Sequence, residues 1–217
     1  MNTARRALLA HCSLLPLVAL GLPRALAAAS PVTILIVGDS LSAEYGIARG
    51  TGWVALLERK LADEKIDAAV INASISGETT AGGRSRLPAL LAEHRPTLVV
   101  LELGGNDALR GLPLSMTEAN LTTMTRESKA AGAKVLIAGM QLPPNYGRRY
   151  ADDFAALFAK IATQEKTALV PFFLAGVADA PDSTQWFQPD RIHPLAQAHP
   201  IILGNVWPVL RTLLPRG

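Results

Sequence analysis

Ser40, Gly77, Asn106, Asp190 and His193 are the residues whose types and spacing can together carry out acyl transfer. A serine hydroxyl is a poor nucleophile until a base takes its proton. Imidazole suits that task because it titrates near neutrality. A carboxylate on the far ring nitrogen fixes the tautomer and stabilises the imidazolium. Asp190 and His193 lie three residues apart, so one turn of chain can face both the same way. The tetrahedral oxyanion needs N–H donors aimed at it. The side-chain amide of Asn106 and the backbone N–H groups of Gly77 and Ser40 can supply them. A helix starting beyond Ser40 is expected to add a favourable field.

Each of these residues also has a plainer reading. Asn106 and Asp190 are types that cap turns and helices, and Gly77 is a type that permits tight turns. His199 is a competing base, but it has no carboxylate at comparable spacing and stands near the start of an expected helix. His94 is expected at the solvated end of a polar helix. Asp39 and Asp107 adjoin Ser40 and Asn106 and read as loop-shaping hydrogen-bond acceptors. The four histidines are scattered, with no metal-ligand spacing. No Gly-x-Ser-x-Gly elbow occurs, which disfavours an ordinary α/β-hydrolase.

What must position these residues is an alternation of strands and helices. The apolar run Val32–Val37 reads as a buried parallel strand that stops at Gly38, just before Ser40. Further strands are expected at 68–72, 98–103, 135–137 and 168–170. Helices are expected at 53–65, 80–93, 117–131, 150–165 and 201–214. Pro208 predicts a kink or early end in the last of these. Strands separated by helices of this length imply a parallel sheet with right-handed crossovers. The expected fold is α/β, a three-layer α/β/α sandwich on a five-stranded parallel sheet of flavodoxin-like type. The polar clusters all follow strand ends or precede the last helix, and in such a sheet they share one rim.

At these residues the chain resembles the GDSL, or SGNH, hydrolase family. Gly38-Asp39-Ser40-Leu41 holds the serine, the Ser76-Gly77 loop the glycine, Gly104-Gly105-Asn106-Asp107 the asparagine, and Asp190-Arg191-Ile192-His193 the last block. The likeness is greatest to the family's bacterial periplasmic thioesterases, lysophospholipases and arylesterases. Asn-Ala-Ser-Ile-Ser-Gly at 72–77, Glu-Leu-Gly-Gly-Asn-Asp at 102–107 and Leu-Pro-Pro-Asn-Tyr-Gly at 142–147 carry it. The resemblance implies cofactor-free hydrolysis of acyl thioesters, aryl and alkyl esters and lysophospholipids. It implies Ser40, His193 and Asp190 as catalytic residues, with an oxyanion hole from Ser40, Gly77 and Asn106. The last block often reads Asp-Gly-Ile-His in this family, and here Arg191 replaces the glycine. The Asp-to-His spacing survives, but a large cation now stands beside the histidine. The loops at 108–113 and 140–146 flank the expected site. Leu109, Leu112, Leu142, Pro143 and Tyr146 are candidates for an acyl groove.

Composition limits the remaining options. The 217 residues are 49% hydrophobic and 18% charged, which suits one domain with a sizeable core. Residues 1–27 read as a secretory signal: Arg5-Arg6, an apolar stretch from Ala7 to Leu22, and Ala25-Leu26-Ala27 as a cleavage site, with Ala29 a close alternative. His11, Pro16, Gly21 and Pro23 interrupt that stretch, which disfavours a membrane anchor. Residues 30–217 are then the hydrolase domain, expected as a periplasmic or secreted monomer with no stable membrane insertion. Cys12, the single cysteine, leaves with the signal, so no disulfide framework is expected. Without Arg5, Arg6 and Arg24 the 21 basic residues fall to 18, equal to the 18 acidic ones. No basic stripe with interleaved aromatics suggests nucleic acid. Two other readings stand beside the acyl hydrolase. One is a carbohydrate acetyl esterase of the same fold, opposed by apolar loops and few aromatics. The other is a binding module that kept the fold, which a complete catalytic set opposes.

Overall fold

The computed structural model describes residues 32–215; the reading of residues 1–27 as a signal, with Cys12, lies outside them. Five parallel strands are β1 (Val32–Gly38), β2 (Ala68–Asn72), β3 (Leu98–Glu102), β4 (Lys134–Ala138) and β5 (Ala168–Val170). Their order in the sheet is β2-β1-β3-β4-β5. That is the flavodoxin-like order, and it puts the topological switch point between β1 and β3. Ile36 pairs with Asn72 on one side and with Val100 on the other. The loops that follow β1, β2 and β3 therefore emerge side by side. Ile34 to Val37 and Leu98 to Leu101 are fully buried or nearly so, as a strand covered on both faces requires.

Helices α1 (Trp53–Asp63), α2 (Thr80–His94), α3 (Gly105–Leu109), α4 (Leu114–Ala130), α5 (Arg148–Glu165) and α6 (His199–Leu213) cover the sheet. α1 packs on α6, while α2, α4 and α5 pack in sequence, giving the two outer layers. The apolar spacing of α1 buries Trp53, Leu57 and Leu61. Leu87 and Leu91 do the same for α2, with Leu90 half-buried. Among the described residues no helix is long and apolar enough to cross a membrane.

Three local expectations change. α4 starts three residues before 117, because the Pro113 carbonyl accepts the N–H groups of both Met116 and Thr117 and so opens the helix early. α6 runs through Pro208 to Leu213 without an early end. Pro208 and Gly204, whose carbonyl would lose its partner, are both exposed, and buried Ile202, Val206 and Leu210 hold the helix across the break. No helix begins beyond Ser40: residues 40–46 form a series of turns and α1 starts only at Trp53, so the expected helix field there is absent.

Candidate active site

Gly38 ends β1 where no side chain fits. A Cβ there would lie 2.7 Å from Glu102 Oε2, 2.8 Å from Ser42 Oγ and 2.9 Å from Ser74 Oγ. The turn that follows is held by the Asp39 carbonyl, which accepts the N–H groups of Ser42 and Ala43. This folding presents Ser40 at the rim. Asp39 Oδ1 accepts the Leu41 N–H at 3.0 Å, and its Oδ2 accepts Asn106 Nδ2–H at 2.9 Å. Burial pushes the Asp39 carboxyl up to about 6, against the pull of those two hydrogen bonds.

His193 Nε2 lies 2.9 Å from Ser40 Oγ, and its Nδ1 lies 2.7 Å from Asp190 Oδ2. Serine, imidazole and carboxylate thus form one hydrogen-bonded line. Asp190 Oδ1 also accepts the N–H groups of Ile192 and His193, at 2.9 and 3.0 Å. Partial burial works to raise the Asp190 carboxyl, but the hydrogen bonds from the His193 and Ile192 N–H groups and the imidazole outweigh it and hold the group at about 2. The carboxylate stays ionised, and with a proton on Nδ1 the arrangement allows Nε2 to accept from the Ser40 hydroxyl.

The histidine loop is fastened by residues that sequence reasoning missed. Gln188 N–H donates to the His193 carbonyl at 2.8 Å, and Phe187 and Pro194 form an antiparallel bridge. Gln188 Nε2 donates to the carbonyls of Tyr45 at 2.9 Å and Pro194 at 3.2 Å, tying this loop to the serine loop. The Tyr45 ring packs against the imidazole, with centroids 4.4 Å apart. Arg191, between Asp190 and His193, has φ +59°, the left-handed region that favours glycine. This departure from the family's usual glycine is therefore placed under backbone strain, on the order of 1 kcal/mol.

The other donor candidates come from α3 and from the loop after β2. Asn106 is the second residue of the short α3, not a loop residue, and Gly104 precedes that helix at φ +118°. Gly77 has φ +80°, and its carbonyl accepts Arg110 Nη2–H at 2.9 Å, which orients the turn. Among the described residues neither the Ser40 N–H nor the Gly77 N–H has a hydrogen-bond partner, so both are free to donate. Asp107 behaves as the sequence suggests: it accepts from the Thr80 N–H, the Thr80 hydroxyl and Thr117. His199 does not compete with His193. It is buried, and its Nδ1 accepts the Trp53 N–H that opens α1. Burial lowers it to about 4, which keeps it neutral. His94 is half-buried at the end of α2, 3.7 Å from Glu93. Among the described residues no group of His, Cys, Asp and Glu can hold a metal.

A further missed residue is Glu102, wholly buried at the end of β3. Its Oε2 accepts the Ser42 hydroxyl at 2.6 Å and the Asp39 N–H at 3.3 Å, while Trp53 Nε1–H donates to Ser42 Oγ. Burial first, and the nearby Asp39 charge second, push Glu102 well above the usual carboxyl range. An acid closing an otherwise apolar strand, Leu-Val-Val-Leu-Glu, was the available signal.

A trough of about 490 Å³ opens beside the site. Leu41, Gly105 and Ile192, next to Ser40, Asn106 and His193 in sequence, form its near end, and Leu109, Leu142 and Pro143 line it as expected. Leu112 and Tyr146 do not line it. α3 ends at Leu109 and the chain turns away, leaving Leu112 half-buried with its carbonyl on Tyr150 Oη–H. Tyr146 is exposed at the end of the 3-10 turn Pro144–Tyr146. Met140, Phe172 and Phe187 complete the apolar wall.

Residues 36–201 match the family described as GDSL-like Lipase/Acylhydrolase. The chain is 55% identical over 186 residues to esterase TesA of Pseudomonas aeruginosa, covering 86% of this chain and 91% of that protein. It is 46% identical over 175 residues to thioesterase 1/protease 1/lysophospholipase L1 of Escherichia coli K12, covering 81% of each. A crystal structure of TesA superposes with a TM-score of 0.80 at 55% identity, covering 84% of this chain and 99% of that one. The chain belongs to the GDSL-like lipase/acylhydrolase family and is an ester-hydrolysing enzyme.

Proposed function

We propose that this enzyme is a secreted serine esterase and thioesterase, acting on aryl esters, acyl thioesters and lysophospholipids through an acyl-enzyme. The observation that carries the reading is the line from Ser40 Oγ through His193 to Asp190, at 2.9 and 2.7 Å. His193 Nε2 takes the Ser40 proton as Oγ attacks the acyl carbon. The resulting oxyanion is held by the N–H groups of Ser40 and Gly77 and by the Asn106 amide. Collapse expels the alcohol or thiol, which leaves with the proton from Nε2. Water then attacks the acyl-serine with His193 again as base, and the acid departs with Ser40 restored. The acyl chain lies in the trough lined by Leu109, Leu142 and Pro143. The names of the similar proteins, an esterase and a thioesterase/lysophospholipase, support these substrate classes. Residues 1–27 serve as the export signal and residues 30–217 as the hydrolase domain, which acts in the periplasm or outside the cell.

Two measurements test the reading. A fluorophosphonate should label Ser40, and Ser40→Ala should abolish both labelling and nitrophenyl ester turnover while leaving the circular dichroism spectrum unchanged. Most activity surviving in that variant would remove Ser40 as nucleophile. A series of nitrophenyl esters tests the trough. Turnover confined to acetate rejects an acyl groove, whereas preference for hexanoate or longer supports it, since each buried methylene is worth about 0.8 kcal/mol.

A further inference from the structure

Arg191 stands where three observations meet. It is the one cation among the residues lining the trough, and its immediate neighbours in sequence are Asp190 and Ile192, with His193 next. Among the described residues it makes no ion pair, unlike Arg86, Arg126 and Arg211, which face Glu78, Glu165 and Glu64. Its backbone is left-handed at φ +59°, so a side chain is retained at a position where glycine would sit without strain.

Position then decides what the free guanidinium faces. The imidazole that takes the serine proton must return it to the leaving group, so the leaving group lies against the histidine loop. Hydrogen bonds tie that loop down: Asp190 Oδ1 accepts two of its N–H groups, and Gln188 donates to the carbonyls of Tyr45 and Pro194. Arg191 is thus fixed two residues from the proton-transfer atom. The nearby acids are already engaged. Asp190 is bonded to His193, and Asp179, the one acid lining the trough, accepts the Gly176 N–H at 2.6 Å. A guanidinium presents a planar fork of donors that matches phosphate oxygens in pairs.

We propose that Arg191 is a specificity-determining residue that binds the phosphate of a phosphate-bearing leaving group, since it lines the trough two positions from His193 and, among the described residues, makes no ion pair. The proposal rests on the reading of Ser40 as nucleophile and His193 as the acid that frees the leaving group. Such a phosphate can belong to a glycerophosphate headgroup or to a nucleotide-bearing thiol.

The test uses matched pairs that share the hexanoyl group, with the full enzyme. One pair is hexanoyl-lysophosphatidylglycerol against monohexanoylglycerol. The other is hexanoyl-coenzyme A against the hexanoyl thioester of N-acetylcysteamine. The reading is the ratio of kcat/KM, phosphate-bearing over phosphate-free, in wild type, Arg191→Lys and Arg191→Asn. Asparagine tolerates the left-handed backbone without the charge, and Arg191→Gly is the second choice should it fail to fold. A charge-assisted contact predicts a fall of about tenfold or more in the Asn variant. The lysine variant should fall by less, and added salt should erode the wild-type ratio. A fall in the first pair alone assigns the headgroup phosphate, in the second alone the nucleotide thiol, and in both a shared phosphate contact. Ratios within twofold of wild type in both pairs overturn the proposal. Ser40→Ala run on the same four substrates keeps the two readings apart. Turnover surviving there removes the nucleophile, whereas unchanged ratios with a dead Ser40→Ala remove only the role of Arg191.

Discussion

Asn106 Nδ2 donates to Asp39 Oδ2 at 2.9 Å, so the residue before Ser40 fixes the side chain of Asn106 on α3. One amide hydrogen is spent on this bond and the other is left over. Asn106→Ala should lower kcat by about 10²–10³ with KM little changed, measured on a nitrophenyl ester. A loss under tenfold would take Asn106 out of the oxyanion hole.

The pH dependence of stability should report Asp39. Burial raises its carboxyl from 3.8 to about 6. The folded chain keeps this proton where the unfolded chain has lost it. The group's stabilising effect is therefore complete below about pH 4 and is lost as pH rises through 6. Asp190 runs the other way. Held at about 2, it contributes stability above its ordinary 3.8 that is lost as pH falls through 2. Urea unfolding from pH 4 to 7 should show wild type losing up to about 3 kcal/mol relative to Asp39→Asn. A difference that stays flat over that range contradicts the assignment.

Burial pushes Glu102 toward its neutral form, so a neutral isostere should replace it. Glu102→Gln should keep stability at pH 7 within about 1 kcal/mol of wild type. Glu102→Ala strands the Ser42 hydroxyl and the Asp39 N–H and leaves a cavity, which should cost about 2–5 kcal/mol. Equal losses in the two variants, measured by chemical denaturation, would show that Glu102 carries a charge.

Gln188 joins the histidine loop to the serine loop. Gln188→Ala should lower kcat by about tenfold while Tm moves by a few degrees at most, because the bond positions a surface loop rather than the core. Retention of full kcat would mean that the Tyr45 ring and the Phe187–Pro194 bridge hold His193 unaided.

The sheet was legible in the sequence because runs such as Val32–Val37 are short, rich in β-branched residues and stopped by glycine, which favours a buried strand over a helix segment. Ser40, His193 and Asp190 were legible because each needs a particular residue type after a strand or before a helix. What stayed hidden depends on partners distant in sequence. Gln188 acts through the carbonyl of Tyr45, 143 positions away, and no local pattern announces that bond. Leu112 and Tyr146 have the right chemistry for the trough, yet the end of α3 and the exposure of Tyr146 at the end of a 3-10 turn take them out of it. Pro208 reads as a breaker because propensity is local, and the packing of α6 overrides it.

The 153 positions between Ser40 and His193 also set when the enzyme becomes one. All five strands are complete by Val170, and the serine comes early, yet the imidazole and its carboxylate arrive only with the last thirty or so residues. Chains are made from the N-terminus, at about 5–20 residues per second. With His193 as base, a nascent or C-terminally clipped chain carries the nucleophile without the means to activate it. Under that reading, loss of the segment from Asp190 onward should abolish ester hydrolysis even though Ser40 remains.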